Sequence, residues 1–124
     1  MKNRHWHWFA GVLVSMLLLV VQSAQAFNMR WLQNTPAEAF TEQDWQLLQD
    51  TVLKALHESA KGDRLTWSNP ASGNSGSVTN MGPADQDGRT CIRLGIYNKT
   101  DRLSGSSVAR FCKQDDGSWK MEGK

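Results

Sequence analysis

Arg93 and Arg110, Cys91 and Cys112, and the run Asp85-Gln86-Asp87-Gly88 are the groups in this sequence with the makings of a binding, redox or metal site. Two guanidinium groups on one surface can hold a carboxylate or phosphate through bidentate hydrogen bonds. If they only face solvent, they are a charged surface with acidic neighbours. Two cysteines form a disulfide in an oxidising compartment and can bind metal or act as a redox pair in a reducing one. Their spacing here is not C-x-x-C and no histidine lies nearby, so a structural disulfide is expected. Closing the segment between them should contribute about 3 kcal/mol. Asp85-Gln86-Asp87-Gly88 has the start of a calcium loop without the further oxygen ligands and the closing glutamate, and is expected as an acidic surface loop.

Other chemistry has little to work with. His57 is the one histidine beyond residue 7, and a zinc site needs several convergent ligands. No G-x-S-x-G, phosphate loop or dinucleotide fingerprint accompanies it, so no enzyme, metal or cofactor is expected. Of the tryptophans, Trp45, Trp67 and Trp119 are in phase with other apolar residues and are expected to pack. Trp31 is the least committed and is the candidate exposed anchor. Asn98-Lys99-Thr100 has the form of a glycosylation sequon and is expected as a simple turn.

The compartment is set by residues 1–26. Lys2 and Arg4 precede an unbroken apolar stretch from Phe9 to Val21, and Ala24-Gln25-Ala26 is a small-residue cleavage site. A helix of that stretch rises about 20 Å, short of the roughly 30 Å hydrocarbon core, so a cleaved signal peptide is expected and no transmembrane span after cleavage. Cleavage removes Lys2, Arg4, His5 and His7, and leaves twelve basic against twelve acidic residues. A neutral balance gives no compositional case for nucleic acid, whose recognition needs a basic surface. What remains is one small domain of the size that often needs a covalent staple.

Residues 27–40 are expected as an extended lead-in and 41–124 as the domain. Thr41 is a good N-cap with Asp44 three residues on, and Phe40 and Trp45 have hydrophobic-staple spacing. Trp45, Leu48, Val52, Ala55 and Leu56 define an apolar face, and Lys61-Gly62 supplies a stop, so the spacing predicts a helix from about Glu42 to Lys61. Strands are predicted over 64–68, 75–80, 89–97, 106–112 and 118–122, with 81–88 a loop. The fold class is α+β: one N-terminal helix packed on a four- to five-stranded antiparallel β-meander with one disulfide. If Cys91 faces Cys112, Ile92 falls opposite Phe111, Leu94 opposite Ala109 and Ile96 opposite Ser107, an apolar face that the helix can cover. Arg93 then falls directly opposite Arg110 on the other face.

The run 65–78 (Leu-Thr-Trp-Ser-Asn-Pro-Ala-Ser-Gly-Asn-Ser-Gly-Ser-Val), followed by Arg89-Thr90-Cys91-Ile92-Arg93 and then Phe111-Cys112-Lys113-Gln114-Asp115-Asp116-Gly117-Ser118-Trp119, is distinctive in this order. Together these motifs resemble the C-terminal domain of the bacterial 17 kDa outer-membrane surface-antigen family, over about residues 48–122. The resemblance implies a small envelope domain with no catalytic residues to carry over. Typical members look like lipoproteins, with a cysteine at the cleavage site and a glycine-rich segment before this domain. This chain departs from them on both points, which implies export without that anchor and a location in the periplasm.

The function expected is that of a non-enzymatic, exported cell-envelope domain. Its partner would be an envelope protein, lipid or peptidoglycan component, contacted through Arg93, Arg110 or Trp31. The alternative is a soluble periplasmic inhibitor of a hydrolase, which would present a protruding loop at residues 81–88.

Overall fold

The computed structural model describes Leu32 and residues 34–124. The expected signal segment and Trp31 lie outside the described residues. Within the lead-in, Pro36–Ala39 form a 3-10 turn, with Thr35 capping it by accepting from the Ala37 amide at 3.3 Å. Ala37 and Leu32 are fully buried, so the lead-in belongs to the core.

Helix α1 spans Glu42–Glu58. Its start is the capping box read from Thr41 and Asp44: the Asp44 amide donates to the Thr41 hydroxyl at 3.2 Å, and the Thr41 amide donates to the Asp44 carboxylate at 2.9 Å. Phe40 and Trp45 form the staple, edge to face at 5.6 Å, and Phe40 also meets Trp67 at 5.2 Å. The helix ends three residues before the expected Lys61. Ser59 is already extended, the Asp63 carboxylate takes the Ala60 amide, and the Gly62 amide donates to the Asn80 carbonyl at 2.7 Å. Gly62 (φ 95°) therefore serves the turn that joins the helix to the sheet, not the helix terminus.

Five strands follow: β1 (Arg64–Ser68), β2 (Ser75–Pro83), β3 (Cys91–Lys99), β4 (Ser104–Lys113) and β5 (Trp119–Met121). They form one antiparallel meander in sequence order. The β3–β4 register is the one the cysteines and the alternation imply, from Cys91 opposite Cys112 through Ile96 opposite Ser107. One sheet face carries Leu65, Trp67, Val78, Leu94, Ile96 and Phe111, and α1 covers it with Leu48, Val52, Ala55 and Leu56. Burying each such side chain is worth about 1.5–3 kcal/mol, so this layer is the main source of stability.

Two loop expectations need correction. Residues 81–88 are not a free loop: Met81, Gly82 and Pro83 continue β2 past a bulge at Asn80, whose side chain accepts the Gly82 amide at 2.8 Å. The remainder closes as a tight hairpin, with Gln86 bridging Arg89 and both central residues at positive φ (Asp87 53°, Gly88 74°). The segment that would serve an inhibitor as a protruding loop is thus reduced to a hairpin tip. Asn98-Lys99 is strand rather than turn, with Asn98 buried on the covered face; the chain reverses over Thr100 to Leu103.

Candidate functional site

The loop after β1 does more than turn the chain. Asn69 and Ser72 donate to Asp44 Oδ1 at 2.7 Å each, and Asn74 donates to Oδ2 at 2.8 Å. With the Thr41 amide, four donors surround a carboxylate that is fully buried. Burial alone would push this carboxyl up. The hydrogen bonds from Ser72, Asn74, the Thr41 amide and Asn69 outweigh it and hold the pKa at about 2. The most distinctive part of the sequence, Asn69 to Asn74, is therefore a clamp that ties the sheet to the first turn of α1. With every lone pair taken up, Asp44 is a structural group rather than a free acid or base.

The open face of the sheet is laid out by register in cross-strand rows. Ser68, Ser75, Lys99 and Ser104 form one row. Thr66, Ser77, Tyr97 and Ser106 form the next, and then come Arg64, Thr79, Gly95 and Val108. Beyond these lie Arg93 and Arg110, and then Cys91, Cys112 and Lys120. Met81, half exposed, lies across Gly95, where a Cβ would meet its sulfur at 3.2 Å. The five strands contain six Lys or Arg residues and no Asp or Glu. Five of the six, all but Lys113, stand on this open face.

The expected site residues fare differently. Cys91 and Cys112 are joined, with Cα atoms 4.0 Å apart, and both are fully buried. Arg93 stands directly opposite Arg110, but the two are not equivalent. Arg110 is engaged by the C-terminal segment: its Nη2 donates to the Glu122 carbonyl, and its backbone pairs with Glu122 and Gly123. Glu122 in turn pairs with Arg89 at 2.7 Å. The guanidinium of Arg93 takes no partner among the described residues.

Asp85 is spent locally, accepting the Cys91 amide at 3.0 Å. Among the described residues no group of three or more His, Cys, Asp or Glu side chains is placed to hold a metal ion. His57 stacks edge-on against Trp119 at 6.4 Å, a packing role.

One concavity on the open face was not foreseen from the sequence. Arg64, Thr66, Ser68, Ser75 and Tyr97 line a shallow cleft of about 250 Å³ at the β1–β3 corner. These residues are brought together only by the strand register. A deeper requirement lies beneath: a Cβ on Gly76 would meet the Tyr97 carbonyl at 2.5 Å and Trp67 Nε1 at 2.6 Å, so only glycine lets the strands close there. No helix among the described residues is long and apolar enough to cross a membrane.

A family model described as 17 kDa outer membrane surface antigen matches residues 54–120, which take in the end of α1 and nearly all of the sheet. The 17 kDa surface antigen of Rickettsia prowazekii is 33% identical over 84 residues, covering 64% of this chain and 51% of that protein. That of Rickettsia conorii is 32% identical over the same length. The Rickettsia bellii protein is 30% identical over 107 residues, covering 83% of this chain and 65% of its own. The chain thus spans about half the length of the first of these relatives. No solved structure matches it. With the clamp loop, both cysteines and the whole meander inside or against the matched span, the chain belongs to the 17 kDa outer membrane surface antigen family.

Proposed function

We propose that this protein is a non-enzymatic, exported cell-envelope domain that docks another envelope component on its open sheet face. In this reading residues 1–26 are the signal, residues 41–124 carry the function, and the protein works in the periplasm or against the outer membrane. Membership of an outer-membrane surface-antigen family supports the compartment. The observation that carries the docking surface is the one-sided sheet: α1 covers one face, while the other is open, rich in hydroxyls and free of strand carboxylates. Arg93, with Arg110 beside it, supplies the cationic centre of that surface. A surface of single sign steers an oppositely charged partner into register.

A photo-crosslinking side chain placed at Ser106 on the open face, or at Gln46 on the exposed side of α1, tests this in the native envelope. The expected result is a discrete adduct from Ser106 alone, weakened by Arg93→Gln. Adducts from Gln46 alone, or none from either position, overturn the reading.

A further inference from the structure

The geometry points to the cleft of Arg64, Thr66, Ser68, Ser75 and Tyr97 as a binding site for an acidic sugar, a saccharide unit bearing a carboxylate or phosphate. This rests on the docking role of the open face and names the chemistry recognised there. Thr66 and Tyr97 lie in one cross-strand row, with Ser77 between them, and Ser68 and Ser75 pair directly in the next. None of the five lining polar side chains has a hydrogen-bond partner among the described residues. A volume of about 250 Å³ is below the ~300–1,000 Å³ of drug-sized sites and has room for one small ring.

The donor set selects the ligand. A guanidinium only donates and is always charged, so Arg64 calls for an anionic acceptor. Serine, threonine and tyrosine hydroxyls both donate and accept. Three aliphatic hydroxyls and a phenol therefore suit a partner that carries hydroxyls of its own, which a bare phosphate does not. Tyr97 is half-buried and adds an apolar ring beside a polar tip, the amphipathic surface a sugar ring can lie against. The strands bring no carboxylate to compete for Arg64, and the neighbouring Asp63, which accepts the Ala60 amide at 2.8 Å, makes no ion pair with it. A lipid surface is less well matched, because the exposed apolar side chains of this face, Met81 and Val108, are not among the cleft residues.

Amide NMR titration of the purified chain distinguishes these chemistries. The probes are glucuronate and glucose 6-phosphate, with glucose, inorganic phosphate and phosphatidylglycerol vesicles as comparators. The acidic sugars are expected to shift the Thr66, Ser75 and Tyr97 resonances, with a Kd at least about tenfold below that of glucose or phosphate. Arg64→Gln, at an exposed position, should remove that advantage and leave the glucose response unchanged. Phosphate binding as tightly as glucose 6-phosphate reduces the cleft to a plain anion site and overturns the proposal. So do vesicles shifting this face while sugars do not, and so does the absence of any shift. If the Ser106 adducts persist in that case, the docking surface stands and only the sugar assignment fails.

Discussion

At the scale of single residues, Asp44 decides most. It is an acid sealed under the clamp loop, with its charge held by four hydrogen bonds. Its folded pKa of about 2 lies below the ordinary 3.8, so it stabilises the fold fully above pH 4. That contribution, about 2 kcal/mol, is lost as the pH falls from about 4 through 2. Urea unfolding at pH 7 and pH 2 should show this loss. Asp44→Asn should cost at least about 2 kcal/mol at pH 7, because an amide turns a donor toward the donors already there, and should flatten the acid limb. The sequence revealed Asp44 as half of a capping box and 69–74 as a turn. It did not reveal that they meet, since the contacts join residues 25 to 30 apart in a loop with no periodicity. The arginine pair was legible, because strand alternation alone puts Arg93 against Arg110. The claim of the C-terminal segment on Arg110 was not, because residues after β5 carry no strand pattern.

At the scale of elements, the seam between α1 and the sheet runs through Phe40, which holds Trp45 on one side and Trp67 on the other. Phe40→Ala should therefore loosen the helix from β1 as well as remove the staple from its first turn. We expect a loss of about 3 kcal/mol, read as a lower urea midpoint with little change in slope. The staple spacing and the apolar stripe were plain in the sequence because both are local. The helix end and the extent of β2 differ from the sequence pattern for a shared reason. Gly62, Gly82 and Pro83 read as punctuation, but here a turn and a bulge use them to make pairings with Asn80 and Arg93 that local sequence cannot specify. The register of β3 and β4 was legible from Cys91 to Ile96, since two cysteines and one alternating pattern demand the same alignment; the further pairs Asn98–Gly105 and Lys99–Ser104 were not, because those residues read as a turn.

At the scale of the whole molecule, one disulfide pins β3 to β4 at the end of the sheet where the 86–89 hairpin and the C-terminal segment also meet. Replacing Cys91 and Cys112 together by Ala should lower the unfolding free energy by about 3 kcal/mol. Because both sulfurs are buried, dithiothreitol should reduce the native protein only as fast as added urea opens it. A thiol assay that shows rapid reduction without urea would count against this placement. The distribution of charge has a different consequence. Glu42, Asp44, Asp50 and Glu58 ride on α1 against one lysine, Lys54, while the strands carry only cations. The helix thus contributes net negative charge and the strands net positive charge, a dipole component across the two layers. Near a charged wall such a component exerts a torque. The torque biases the sheet toward negative charge, and salt, by shortening the field, weakens that bias.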